Sequence, residues 1–214
     1  MKIALINENS QAAKNEIIFE KLSAAAKRYG HEVINYGMFG SEDKHSLTYV
    51  QVGLLTAILL NSGAADFVVT GCGTGEGACL ACNSFPNVLC GHVVDASDAF
   101  MFREINDGNA ISIPYAKGFG WGGELVLEQI FENLLKTNGG NGYPKERVVP
   151  EQANKKILDK VKEVTHQDML YILKNIDQQF LNDTVDYPFF KENFFRDCKD
   201  KKIASELKKL LSLK

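Results

Sequence analysis

A strand of the buried type runs directly into alternating glycines in one segment of this 214-residue chain, Phe67-Val68-Val69-Thr70-Gly71-Cys72-Gly73-Thr74-Gly75-Glu76-Gly77-Ala78. Its apolar start predicts a central strand, and the residues after the glycines predict the first turn of a helix. Such a loop lets backbone N–H groups converge on an anion, assisted by the helix N-terminus. In open α/β sheets the ligand crevice lies at the carboxyl ends of the strands, where we expect this loop.

Apolar runs alternate with helix-length amphipathic segments on both sides of the glycine loop, which is typical of a parallel sheet covered by helices. The fold class is therefore predicted to be α/β, a Rossmann-like three-layer α/β/α arrangement with a five-stranded parallel sheet. The predicted strands are 3–6, 32–36, 67–70, 88–94 and 110–113, and the predicted helices are 14–29, 47–61, 77–83, 97–105 and 124–136.

A turn-rich segment, Thr-Asn-Gly-Gly-Asn-Gly at 137–142, divides the chain. We predict a Rossmann-like domain over 1–150 and a helical C-terminal extension over 151–214. The extension is expected to begin with one long helix, 151–176, and to end with an amphipathic helix, 203–213. Four phenylalanines within 189–195 predict that the tail packs on another subunit or covers the mouth of the site. The alternative is a tail that packs on its own chain.

Composition excludes several function classes. The 27 acidic and 24 basic residues give a formal charge of -3, which is not the footprint of a nucleic-acid-binding protein. No basic run or apolar segment of about 20 residues predicts contact with a membrane. The first residues read as a strand rather than a signal peptide, so we expect a cytoplasmic protein. With 45% hydrophobic residues, the chain can bury a full core.

The five cysteines are an odd number in a chain without a secretion signal, so we expect no disulfides. Cys79 and Cys82 have the C-x-x-C spacing of redox and zinc sites, but no second pair follows, and we interpret them as buried thiols. The four histidines lack metal-ligand spacing, which predicts no metal site. We interpret His92 as a core histidine and His45 as a surface residue. Trp121 is expected to line a pocket or a subunit interface.

The glycine loop supports two chemical readings. Residues 73–78 match the G-x-G-x-x-A pattern of dinucleotide-binding loops, and Asp95 follows Gly75 by 20 residues. That pattern normally follows the first strand, so NAD(P) is the weaker reading. In the stronger one, Cys72 ionises beside the loop amides and removes a proton next to a carbonyl, while the amides hold the enediolate oxygen. Glu76 is a second possible base. The structural alternatives are a small residue in a tight turn and a solvated first-turn acid.

Further segments extend this pattern in order along the chain. Asn83 follows the short helix, Asn106-Asp107-Gly108-Asn109-Ala110-Ile111 leads into the fifth strand, and Arg147-Val148 follows the last core helix. Together with the glycine loop, they resemble the ribose-5-phosphate isomerase B / galactose-6-phosphate isomerase family over about residues 1–150. The resemblance implies a cofactor-independent and metal-free aldose–ketose isomerase of small sugars. It also implies a homodimer or homotetramer whose active sites are shared between subunits.

The resemblance also implies roles for single residues. Cys72 would be the base, Thr74 and the loop amides would hold the enediolate, and Glu76 stands where some members carry a catalytic Glu. Substrate-binding positions are implied or inferred for Glu8, Asn9, Gly73, Gly75, Asn83, Asn106, Lys117 and Arg147.

Departures from the family narrow the predicted substrate. The family has Asp-His where this chain has Glu8-Asn9, and the His that opens a sugar ring is replaced by Ile105. Of the phosphate-binding cations, Lys117 and Arg147 remain, and each missing charge-assisted bond is worth about 1.5–3 kcal/mol. We therefore predict an open-chain substrate such as a 4-deoxy-5-keto-hexuronate, which a longer subgroup of the family isomerises. The alternatives are ribose 5-phosphate or galactose 6-phosphate, and a non-catalytic sugar-binding module.

Overall fold

In a computed structural model that describes residues 1–212, five strands form one parallel sheet in the order β2-β1-β3-β5-β4. The strands are β1 (Lys2–Asn7), β2 (Glu32–Asn35), β3 (Phe67–Cys72), β4 (Cys90–His92) and β5 (Ala110–Pro114). Helices cover both faces, which confirms the predicted α/β fold. Because the winding reverses between β1 and β3, their carboxyl ends form the crevice in which ligands of such sheets bind.

The helices follow the predicted alternation as far as residue 135. They are α1 (Asn15–Arg28), α2 (Tyr49–Ser62), α3 (Glu76–Asn83), α4 (Ala96–Met101), α5 (Gly123–Leu135), α6 (Val148–Thr165), α7 (Met169–Asn175), α8 (Gln178–Val185), α9 (Pro188–Asp197) and α10 (Lys201–Leu210). Short 3-10 turns span Asn9–Lys14 and Lys145–Arg147, and a π-helical turn spans Phe102–Asn106. No helix within residues 1–212 is both long and apolar enough to cross a bilayer.

The core has two halves because successive strand residues face opposite sides of the sheet. Phe67 and Val69 of β3 pack with α1 and α5, whereas Val68 and Cys72 pack on the side of α2. Helix α2 begins at an N-cap: the Thr48 hydroxyl accepts a hydrogen bond from Gln51 N, and the Gln51 side chain accepts one from Thr48 N. Its close approach to α3 requires Gly53, where a Cβ would lie 2.7 Å from the Ala81 carbonyl carbon.

The prediction of one helix over 151–176 is wrong. Helix α6 ends at Thr165, and Asp168 caps a new helix, with its Oδ1 accepting a hydrogen bond from Tyr171 N at 2.9 Å. Helix α6 also turns its polar side toward the protein. The Lys162 ammonium, for example, donates to the Phe85 carbonyl at 2.9 Å, while apolar side chains point outward.

The prediction that the aromatic tail packs on another subunit is wrong for its central residues. Phe190 and Phe194 have 0% exposure within the single chain and stack with ring centroids 4.8 Å apart. They share one hydrophobic cluster with α2 and with residues of α7, α8 and α10. The described part of 151–214 is helical, and it completes the core on the outer side of α2.

Candidate active site

The glycine loop between β3 and α3 is anchored through its own backbone carbonyl groups, those of residues 72–75. Each carbonyl oxygen accepts a hydrogen bond from the side of β4 and β5, at 2.7–3.0 Å. The donor–acceptor pairs are Tyr115 N to Cys72 O, Ala116 N to Gly73 O, His92 Nε2 to Thr74 O and Ser112 Oγ to Gly75 O. The orientations of the peptide groups that follow these carbonyls are therefore fixed before any ligand arrives.

The loop amides face the other way, since N–H and C=O point in opposite directions across a trans peptide plane. Within residues 1–212, the N–H groups of Gly73, Thr74 and Gly75 have no hydrogen-bond acceptor. Three free donors beside a helix N-terminus form a cradle for an anion or an oxyanion. At Gly75 (φ +75°), an added Cβ would lie 2.7 Å from His92 Nε2, so the cradle requires glycine there.

The two candidate bases differ in exposure. Cys72 is the last residue of β3, is 6% exposed, and packs in the cluster that contains Leu47 and Ala78. Glu76 lies in the first turn of α3, is exposed, and has its backbone N–H bonded to Thr74 Oγ1 at 3.3 Å. Cys72 directly precedes the three free amides of the loop and is shielded from solvent, whereas Glu76 follows them and is open to solvent, which favours Cys72.

Three predicted substrate-binding residues lie at the same carboxyl edge of the sheet. Glu8 N donates to Gly71 O at 3.1 Å, which places the end of β1 beside the loop. The Glu8 carboxylate accepts a hydrogen bond from Ser10 at 2.6 Å, and the Asn9 amide donates to Ser46 at 2.9 Å. Lys117 is exposed and follows Ala116, which is bonded to the loop.

Sequence reasoning assigned no role to several residues at this edge. Ser10 Oγ and Gln11 Nε2 would both lie 3.9 Å from a Cβ on Gly73, and the Tyr49 ring would lie 3.3 Å from one on Gly77. Lys14 donates to the Tyr115 carbonyl and to Gln11 Oε1, and burial lowers the pKa of its ammonium. The mostly polar segment 8–16, directly after a buried strand, was a signal that could have found three of them.

The interpretations of two histidines are also wrong. His92 is half-buried rather than core, and its Nε2 is the donor to the Thr74 carbonyl. Its position at the end of β4 was the available signal. His45 is not a surface residue, because its ring stacks on Tyr187 at 3.7 Å and burial lowers its pKa.

The geometry argues against a substrate contact for Asn83. Its side-chain amide donates to the carbonyls of Cys79 at 3.1 Å and Cys90 at 2.8 Å, and its oxygen accepts from Cys90 N at 3.0 Å. Asn83 also ends α3, whereas the glycine loop precedes that helix. The residue therefore ties α3 to β4, and a substrate would have to break these bonds to reach it.

Asn106 and Arg147 do not meet the glycine loop within one chain. Asn106 precedes β5, at the amino edge of the sheet, and Arg147 directly precedes α6, the helix that packs against Phe102–Asn106. Five strand residues separate that edge from the loop, which is about 16 Å at the usual rise of about 3.3 Å per residue. The predicted residues thus form two separate groups, one at each edge of the sheet.

Asp95 has a structural role at the start of α4. Its Oδ1 accepts hydrogen bonds from Ser97 N at 2.8 Å and Asp98 N at 2.9 Å, and its pKa is lowered first by the bond from Asp98. Asp95 is therefore a helix cap, although its spacing from the glycine loop is the one expected for the acidic residue of a dinucleotide-binding fold.

Sequence comparison identifies relatives of this chain. The ribose/galactose isomerase family matches residues 3–149, and a family described as ribose-5-phosphate isomerase matches residues 164–210. Galactose-6-phosphate isomerase subunit LacB of Clostridium acetobutylicum is 26% identical over 148 residues, which cover 69% of this chain and 76% of that protein.

Two solved structures match the chain over nearly its whole length. One is a 4-deoxy-L-threo-5-hexosulose-uronate ketol-isomerase complexed with a tartrate, at 59% identity, a TM-score of 0.97 and complete coverage of both chains. The other is a ribose-5-phosphate isomerase from Vibrio parahaemolyticus, at 50% identity, a TM-score of 0.96 and 99% coverage of both chains. This chain therefore shares the family and the fold of both proteins, and those two proteins are named for different substrates.

Proposed function

The chain belongs to the ribose/galactose isomerase family, and from this premise we propose that it is a ketol-isomerase of an open-chain 4-deoxy-5-keto-hexuronate. Such an enzyme interconverts an aldose and a ketose form. One observation carries the choice of substrate: few cations are left to bind an anion. Within residues 1–212, Arg28, Arg103 and Arg196 bond to other groups of the protein, so Arg147 is the one arginine whose side chain has no partner, beside Lys14 and Lys117 near the glycine loop. A single carboxylate needs fewer charge-assisted donors than a phosphate dianion does. The 59% identity to the uronate isomerase supports the same choice.

In the proposed reaction, one proton moves between adjacent carbons. Cys72, as thiolate, removes the proton from the hydroxyl-bearing carbon beside the carbonyl, and the electron pair of that C–H bond forms the C=C bond of a cis-enediolate. The amides of Gly73, Thr74 and Gly75 donate to the oxyanion, and Thr74 adds its hydroxyl. The thiol then returns the proton to the former carbonyl carbon, while the proton of the original hydroxyl moves to the other oxygen.

We further propose that the complete site forms between two copies of this chain. The glycine-loop group lacks Asn106 and Arg147, which lie at the opposite edge of the sheet. Helix α6 supports a second copy as partner, because it exposes an apolar side that includes Val149, Ile157 and Val164. Exposed apolar surface of this kind marks an interaction site. Glu8, Asn9 and Lys117 would then bind substrate from one subunit, and Asn106 and Arg147 from its partner.

The substrate proposal predicts a large difference between two compounds. With 4-deoxy-5-keto-hexuronate and ribose 5-phosphate at equal concentration, we expect kcat/KM to be at least about 100-fold higher for the uronate, because lost charge-assisted bonds to phosphate cost about 1.5–3 kcal/mol each. Coupled assays and deuterium uptake from solvent into the substrate give both rates. Equal or greater turnover of ribose 5-phosphate would refute the uronate, and no exchange with either would favour a binding module.

The shared site predicts complementation between two inactive variants. Cys72→Ala and Arg147→Ala damage different groups of the same site, so a mixed dimer has one intact site and one doubly damaged site. After denaturation and refolding together in equal amounts, we expect about a quarter of the wild-type activity, because half of the dimers are mixed and half of their sites are intact. Each variant refolded alone is the control. Activity no higher than the mean of the two controls would contradict the shared site.

His92 is predicted to act by positioning the Thr74–Gly75 peptide group. We expect His92→Leu to lower kcat about 10- to 100-fold with little change in KM, because the Gly75 N–H loses its fixed direction toward the oxyanion. His92→Gln keeps a side-chain N–H donor and should recover part of the rate. If both variants change only KM, or if glutamine is no better than leucine, the positioning role is wrong.

A further inference from the structure

Three cysteines meet where α3 packs against β4. Cys79 and Cys82 are three residues apart on α3 and therefore share one side of that helix, and Cys90 is the first residue of β4. Cys82 and Cys90 are buried, but Cys79 is only half-buried. The interpretation of the C-x-x-C pair as two inert buried thiols therefore fits Cys82 and does not fit Cys79.

The contacts hold Cys79 against the backbone of Cys90. Cys79 Sγ lies 3.4 Å from the Cys90 carbonyl oxygen. The Asn83 amide donates to that oxygen at 2.8 Å and lies 3.6 Å from Cys79 Sγ, and Asn83 Oδ1 accepts from Cys90 N at 3.0 Å. Cys82 and Cys90 belong to one hydrophobic cluster, and Cys79 packs against the same cluster, so the three side chains lie on one side of the sheet.

The two sulfurs differ in their tendency to ionise. The interaction with Cys90, followed by those with the His92 ring and the Asn83 amide, lowers the pKa of Cys79 to about 7 against the opposing effect of burial. The interactions with Cys79 and Cys82, together with burial, raise the pKa of Cys90. Cys79 is therefore the more exposed and more readily ionised of the two sulfurs, and Cys90 is the buried thiol that keeps its proton. This is the division of roles between a peroxide-reactive and a resolving cysteine.

We propose that Cys79 and Cys90 form a peroxide-sensitive pair, in which a hydroperoxide oxidises Cys79 and Cys90 converts the product into a disulfide. The Cys79 thiolate attacks the terminal peroxide oxygen, so that an S–O bond forms, the O–O bond breaks, and the alcohol or water leaves with a proton. The Cys90 sulfur then loses its proton and attacks the Cys79 sulfenic sulfur, so that the S–S bond forms and water leaves. Two thiols are oxidised and one hydroperoxide is reduced.

Formation of the disulfide is expected to displace the glycine loop, because α3 connects the two. An S–S bond is about 2 Å long, so the two side chains must approach each other, and Cys79 N is bonded to Gly75 O at 3.1 Å. Oxidation would therefore pull on the turn that carries the loop amides. The modification itself does not depend on which sugar the protein isomerises, and its test needs no substrate.

Treatment of the full chain with hydrogen peroxide tests the pair. We expect the number of thiols titrated after denaturation to fall from five to three, the mass to fall by about two hydrogen atoms, and a peptide linked through Cys79 and Cys90 to appear. Dithiothreitol should reverse all three changes. In Cys90→Ser, the link should be lost and dimedone should label Cys79 as sulfenic acid.

Cys198→Ser is the matched control, because Cys198 lies at the C-terminal end of α2, near the Ser62 carbonyl, and burial raises its pKa. This variant should form the same link at the same rate as the wild type. The proposal is overturned if all five thiols survive, if the link joins Cys79 to Cys82 or joins two chains, or if dimedone labels Cys72 or Cys198 before Cys79.

Discussion

Cys72→Ala is expected to lower kcat about 1,000-fold with little change in KM, because a positioned base contributes 10²–10⁴ to a proton transfer and does not hold the ground state. The structure supports this strong effect. Cys72 lies at the end of β3, nearly covered from solvent, directly before the three free amides of the loop. Deuterium exchange at the substrate carbon measures the loss without interference from product release.

Glu76→Gln is the matched comparison, since it removes the other candidate base without changing size. Glu76 is exposed at the first turn of α3, so we expect a loss of less than 10-fold if it only supports the helix N-terminus. A 1,000-fold loss in Glu76→Gln together with a small loss in Cys72→Ala would transfer the base to Glu76. Comparable large losses in both would mean that the two residues act together.

Phe190→Ala is expected to lower the free energy of unfolding by about 3–5 kcal/mol, because it removes a fully buried aromatic ring and leaves a cavity. The ring stacks on Phe194 and contacts Tyr36 edge-on, with centroids 6.3 Å apart, so it joins the tail to the α/β core. Chemical denaturation at one fixed protein concentration measures the change and keeps any assembly equilibrium constant.

Phe39→Ala provides the control for Phe190→Ala. The Phe39 ring also meets a tail residue, Phe189 at 5.0 Å, but is 51% exposed. We expect a loss of less than about 1.5 kcal/mol from this site, since a partly exposed aromatic pair is worth about that much at most. If Phe190→Ala costs no more than Phe39→Ala, the tail is not part of the core.

The local sequence pattern was sufficient to predict the sheet and the glycine loop. Strands are recognised by apolar runs, and helices by their hydrophobic periodicity and their caps. These signals lie in neighbouring residues, so Phe67–Cys72 and the helix after it could be predicted closely. The break at Asp168 was missed, because a polar residue within a polar–apolar period resembles a surface position as much as a helix cap.

The site could be predicted only where order along the chain fixes position. Glu8 and Cys72 follow strands and lie at the carboxyl edge, whereas Asn106 precedes a strand and lies at the other. Whether a residue follows or precedes a predicted strand can be read from the sequence. The roles implied by the family resemblance nevertheless put Glu8, Cys72 and Asn106 in one site. The contacts of Asn83 and His92 depend on which strands are neighbours in the sheet, and no local signal gives that order.

The C-terminal tail covers α2, so two segments that are far apart in the sequence depend on each other. From Val52 to Leu60 every residue of α2 is buried, so this helix has no water-facing side over that stretch. A chain of the same family that stopped near residue 150 would need polar residues along that helix, or a neighbouring protein against it. The extension and the apolar composition of α2 must therefore be gained or lost together, and a truncated form of this chain is expected to aggregate rather than behave as a smaller enzyme.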